Sequence, residues 1–363
     1  MMLDRQIVQE VPYPERMSWE LIQRWLDEIP VFDEDNPADP EWQKTPDFPL
    51  DLTAEGYGVI QVKDESVNPT GTAKDRPAWE AAVLLRDYAS SFLARDQSLN
   101  GAIVELPPPR FTILTAGNDG KALAHSLARY GLPPPKLLVD KDLPLARLEQ
   151  LRLLRADIYV ADLTKAELTP EQILAMTNNK RGIDLTSTLM FRANELFYDW
   201  LAHEVFNTQA DEVYVPCGSG RVRDNLLHWQ EKNVRQYLAH GKADPRLQIP
   251  LDRLISMSIL SAEPEDPESI ADKLPAPFRP FQAYHESDLA ALQRMNFTGT
   301  MTGTYPVREE YITRAHQLFS QHGIAAEPSG AAGLALHLQL VDSKQVHPLD
   351  GRKKLIINTG KGI

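Results

Sequence analysis

Between residues 111 and 160 short apolar runs alternate with helical periodicities. Strands are expected over 111–114, 137–139 and 158–160. Helices are expected over 144–154 and after Asn118, where Ala122, Leu123, Leu127 and Tyr130 share a face that Gly131 closes. Alternation at this spacing predicts a parallel sheet with helices laid across it. Ligands of such sheets bind beyond the carboxyl ends of the strands, so the loop after each strand is where function is sought.

The first such loop is Thr115-Ala116-Gly117-Asn118-Asp119-Gly120. Its amides point toward a helix amino terminus, an anion site suited to the carboxylate of an amino acid. Taken alone, an ordinary turn that uses glycine and asparagine for their backbone freedom explains it at least as well. A second loop, Cys217-Gly218-Ser219-Gly220-Arg221-Val222, follows a buried-type strand over 213–216 and opens a helix. Glycines there let backbone N–H groups approach phosphate oxygens, and the helix dipole favours the charge. Arg221 either adds a charge-assisted bond to that phosphate or fills its space, and Asp224 opposes it if it faces the loop.

A third loop runs from Lys63 to Arg76, between an apolar strand over 57–62 and a helix carrying Ala78, Trp79, Ala81, Ala82, Leu84 and Leu85. Lys74 sits where loop gives way to helix. A lysine beside Asp75 and Arg76 at a helix start is, by itself, most often a solvated surface residue. A last strand over 354–357 ends in Asn358-Thr359-Gly360-Lys361-Gly362.

Asn68 to Arg76 closely resembles the lysine loop of the tryptophan synthase β-like (fold type II) family of pyridoxal-phosphate enzymes. Three further motifs occur in that family's order: the Thr115 to Gly120 loop, the Gly218 to Gly220 loop, and the Thr359-Gly360 ending, with Glu327-Pro-Ser-Gly-Ala-Ala332 before the last. The lysine loop and the ending are most similar to the threonine synthase and serine/threonine dehydratase branches. The resemblance implies an α/β fold of two open parallel-sheet domains with helices on both faces and a cofactor cleft between them. Residues 1–85 and 166–363 would form the large cofactor-binding domain, and 86–165 a small inserted substrate-loop domain.

The resemblance also implies the cofactor, pyridoxal 5'-phosphate, and its residues. Lys74 would carry it as a Schiff base and act as the base at the α carbon. Asn118 would bond its phenolic oxygen; Gly218, Ser219, Gly220, Arg221 and Val222 would hold its phosphate; Thr359 would face its pyridine nitrogen. Thr115, Ala116, Gly117 and Asp119 would meet the substrate. A neutral hydroxyl at Thr359 makes the ring a weaker electron sink, which suits elimination or replacement at the β (or γ) carbon better than transamination. The activity implied is that of a lyase or synthase acting on a small hydroxy or O-activated amino acid. β-Replacement of the cysteine-synthase type and an altered member serving as a binding or regulatory module are the alternatives, the latter because the family usually has a small or hydroxyl residue at Asp119 and a small one at Arg221.

Composition narrows the partners. The 363 residues carry a formal net charge of −13 with no compensating basic block, against non-specific binding to nucleic acid or to an anionic membrane. No run approaches the ~18 apolar residues of a membrane span, and the first residues lack the apolar core of a signal peptide. Cys217 is the sole cysteine, so no intrachain disulfide forms, and no histidine pair has metal-ligand spacing with acidic ligands beside it; no metal is expected. These readings point to a cytoplasmic protein, and the resemblance adds a homodimer. The lead-in over 1–56 is expected to hold one helix, from Ser18 to Ile29, and the stretch over 264–306 reads as a solvated loop.

Overall fold

A computed structural model describes residues 5–13, 18–29, 44–98, 109–164, 168–186, 198–242, 247–275 and 302–362. The stripe of Leu196, Phe197, Trp200, Leu201 and Val205 predicts a helix over 193–206; its first residues, 193–197, and the part of the 264–306 loop from 276 to 301 lie outside the described residues. The chain divides into two compact units, residues 1–43 with 74–194 and residues 44–73 with 195–362.

In the first unit, α1 (Trp19–Glu28) is capped by Ser18, whose hydroxyl accepts the Leu21 amide, and buries Ile22 and Trp25. After α2 (Asp75–Ser98) the strands and helices alternate as expected: β4 (Phe111–Leu114), α3 (Asn118–Arg129), β5 (Lys136–Asp140), α4 (Leu145–Arg152), β6 (Asp157–Ala161), α5 (Pro170–Met176) and β7 (Ile183–Asp184). β1 (Arg5–Gln9) pairs antiparallel with β6, giving the order β1-β6-β5-β4-β7, and the other pairs are parallel. The unit therefore reaches past residue 165, because β7 pairs with β4, and takes in the start of the chain, because β1 pairs with β6. The sequence reading set these boundaries at 85/86 and 165/166.

In the second unit, β2 (Asp47–Leu52) runs antiparallel to β3 (Gly58–Asp64) at one edge. β8 (Glu212–Pro216), β9 (Ser258–Pro264), β10 (Gly303–Val307) and β11 (Lys354–Asn358) complete the order β10-β9-β8-β11-β3-β2, parallel from β10 to β3. Alternate residues face two cores. Val213, Val215, Leu355 and Ile357 pack with α6 (Asp199–Asn207), α7 (Arg221–His240) and α8 (Leu251–Ser256). Tyr214, Leu260 and Ile356 pack with α9 (Glu309–Gln321) and α10 (Ala332–Asp342). Helices thus cover both faces, which is why β8 and β11 are buried at every residue.

Both sheets have a topological switch point. β5 and β6 extend to one side of β4 and β7 lies on the other; β9 and β10 extend to one side of β8 and β11 lies on the other. The crevice at such a point, at the carboxyl ends of the strands, is the ligand site of this architecture. The loop over 115–120 follows β4, the loop over 217–220 follows β8, and Thr359 follows β11. Among the described residues no helix is long and apolar enough to cross a membrane.

Candidate functional site

The lysine loop is fixed from both sides within the second unit. Asp64 ends β3 and its carboxylate accepts the Ser66 amide at 3.0 Å and the Asn358 side-chain amide at 2.9 Å. Asn68 Nδ2 donates to Glu65 Oε2 at 2.8 Å and to Thr72 O at 3.1 Å. Glu65, fully buried, also accepts Thr45 Oγ1 at 2.6 Å, and the buried Lys63 ammonium meets Glu204. On the other side Ala73 N donates to Thr359 O at 2.9 Å and Lys361 N to Gly71 O at 2.9 Å. Gly71 has φ +86° with the Lys361 side chain lying against it, so any other residue there would be strained and would have to displace that side chain.

The chain passes from the second unit to the first between Ala73 and Lys74. Lys74 O accepts the Ala78 amide, so its backbone belongs to the first turn of α2. Lys74 Nζ lies 3.2 Å from Asp119 Oδ1, with both side chains about a quarter exposed, at 23 % and 26 %. This ion pair joins two of the residues singled out from the sequence.

The 115–120 loop is built on one hydroxyl. Thr115 is buried and its Oγ1 accepts the amides of Gly117 at 3.0 Å and Gly120 at 3.1 Å. Gly117, at φ +141°, caps α3, and its carbonyl accepts the Lys121 amide. Asn118 and Asp119 are the first two residues of α3 and half-buried, whereas Ala116 is exposed. The Gly117 amide, expected to meet substrate, already donates to Thr115.

In the second unit Cys217 N bonds Ala262 O at 2.8 Å, holding the end of β8 to β9. Gly220, at φ +82°, caps α7 without a side-chain bond, and Gly218 faces Lys273 O, which a Cβ would approach to 3.1 Å. Asp224 does not stand as an uncompensated charge in the first turn of α7: Arg223 Nε and Nη2 both meet its Oδ1 at 2.8 Å, in a pair 8 % and 15 % exposed. A helix amino terminus opened by small residues, with Arg221 in its first turn and Asp224 neutralised by Arg223, fits a phosphate dianion. Thr359 is half-buried and its carbonyl accepts Ala73 N and Thr72 Oγ1.

Three groups at these loops were not read from the sequence: the Lys63–Glu204 pair with Glu65, the Arg223–Asp224 pair, and the half-buried Lys273–Glu327 pair, where Lys273 N also donates to Ser329 Oγ. The Glu327-Pro-Ser329 run was a visible signal; its partner lies 54 residues earlier. Among the described residues no three His, Cys, Asp or Glu side chains gather as metal ligands.

Residues 38–222 match the family described as pyridoxal-phosphate dependent enzyme. The chain belongs to this family, whose cofactor is pyridoxal phosphate. No curated protein matches it. Solved structures with the same fold include a pyridoxal 5'-phosphate-dependent aspartate racemase, with TM-score 0.58, 15 % identity, and 97 % of this chain and 98 % of that one covered. The cysteine synthase of Entamoeba histolytica gives 0.58 at 15 % identity, covering 98 % and 91 %. The T.th. threonine deaminase gives 0.54 at 17 % identity, covering 95 % and 98 %. At these identities the likeness establishes the two-sheet α/β architecture alone.

Proposed function

We propose that the chain is a lyase or synthase that eliminates or replaces the β (or γ) substituent of a small hydroxy or O-activated amino acid, with Lys74 as its covalent anchor and base. The observation that carries this reading is the place of Lys74: at the start of α2, its loop stapled to the end of β11, its amine beside the 115–120 loop of its own unit. Pyridoxal phosphate, when bound, supplies an electron sink for the negative charge that develops at the α carbon.

The chain's own residues do the rest. With the cofactor bound, the Gly218 to Val222 loop would hold its phosphate through first-turn amides and Arg221, and Asn118 would donate to its ring oxygen. Thr359 would offer the pyridine nitrogen a neutral hydroxyl, which would favour departure of a leaving group over transamination. Lys74 Nζ takes the α proton and holds it, with Asp119 beside it as counter-charge. The Thr115 to Asp119 loop positions the substrate. A cytoplasmic homodimer completes the reading, and light scattering tests the dimer.

The deciding experiment is the visible spectrum of the purified protein before and after borohydride, with Lys74→Ala as control. A band that borohydride removes and Lys74→Ala lacks supports the reading; no band after addition of pyridoxal phosphate sinks it in favour of a binding module. Keto-acid release from serine or threonine then identifies elimination, and dependence on added sulfide identifies replacement.

A further inference from the structure

Asp119 Oδ1 stands 3.2 Å from Lys74 Nζ, and its place is set by the loop itself. Thr115 Oγ1 holds the amides of Gly117 and Gly120, and Lys121 N closes on Gly117 O, so the second residue of α3 is fixed by internal bonds. A substrate whose amine takes over the bond that Lys74 makes brings its α and β carbons near this carboxylate, since each covalent bond adds only about 1.5 Å. A carboxylate accepts hydrogen bonds and donates none. A side-chain hydroxyl satisfies it. An ester oxygen, itself only an acceptor, faces it with a second lone pair, and a phosphate ester adds like-charge repulsion.

We infer that Asp119 is the specificity-determining residue beside Lys74, selecting amino acids that keep a free side-chain hydroxyl and rejecting O-acyl and O-phospho esters. This rests on the Lys74 reading and narrows it to the hydroxy class. The glycine amides do not make this distinction, because those of Gly117 and Gly120 already donate to Thr115.

The test uses the holoprotein, wild type and with Asp119→Ser or Asp119→Asn, rapidly mixed with L-serine, O-acetyl-L-serine or O-phospho-L-serine. The visible spectral change before turnover gives dissociation constants, and calorimetry repeats them. Wild type should bind serine at least about tenfold more tightly than either ester, and Asp119→Ser should bring the three within about threefold. Asp119→Asn keeps the shape but gains a donor, so it should accept the esters while its thermal unfolding stays that of wild type. Unchanged ratios in both variants, or a wild-type preference for an ester, overturn the inference while leaving Lys74 in place. Loss of the borohydride-sensitive band from wild type itself overturns both.

Discussion

Glu65 Oε2 accepts the side-chain amide of Asn68 at 2.8 Å, and the same nitrogen reaches Thr72 O at 3.1 Å, two residues before Lys74. Because both side chains are buried, this single amide ties the lysine loop to a charged group in the core of its unit. Asn68→Ala should cost about 1–3 kcal/mol in urea unfolding, the cost of leaving buried acceptors unmade. Asn68→Asp should cost more, since it sets two carboxylates face to face, and its excess over alanine should shrink as the pH is lowered.

The Arg223–Asp224 pair makes a second prediction. Arg223→Met uncovers an acidic charge in the first turn of α7 and should weaken pyridoxal phosphate binding on the order of tenfold, read by absorbance titration. Adding Asp224→Asn should recover most of the loss. Equal losses in the single and double variants would mean that the charge does not reach the loop.

Gly120 has no room for a side chain: a Cβ there would come within 2.9 Å of Thr115 Cγ2 and 3.0 Å of Leu137 Cδ1. Gly120→Ala should therefore destabilise the protein by about 1–3 kcal/mol, the usual penalty of overpacking. Combining it with Leu137→Val should return part of that stability, and thermal unfolding measures both.

Buried His337 in α10 stacks edge-on to Tyr214 at 5.2 Å, and burial lowers its pKa from 6.5 to about 4. The unfolded chain takes up the proton below about pH 6.5, and the folded one does not until about pH 4, so stability falls as pH drops through that window. At 1.36 kcal/mol per unit the loss reaches about 3 kcal/mol near pH 4. Urea unfolding at pH 7.5 and 4.5 should show it, and His337→Leu should flatten the difference.

The central strands were legible because continuous apolar runs such as those at Leu137 and Val213 have no other use, and helix punctuation such as Ser18 and Gly131 is local chemistry. The edge strands were not. β1 is five residues with Gln6 and Ile7 exposed, and β2 turns Phe48, Leu50 and Leu52 inward but carries Pro49, which argues against a strand when only the sequence is read. Unit boundaries were hidden for a related reason: β7 is two residues long, and nothing in Ile183-Asp184 says that its partner is β4. The loops of the candidate site were readable from glycine placement and from the hand-over of strand to helix. The contacts that set their electrostatics were not, since Lys74 and Asp119 lie 45 positions apart and Arg223 could equally have turned from its neighbour.

Thr115 holds its loop together through one hydroxyl and two glycine amides. Shape and chemistry are thereby separated within six residues. On the proposed reading, natural variation at 116 or 119 would retune what the loop recognises at little folding cost, while a change at 115, 117 or 120 would destroy the platform before any new preference could be selected. Diversification in this lineage should therefore run through the side chains at 116 and 119, with Thr115 replaceable only by serine.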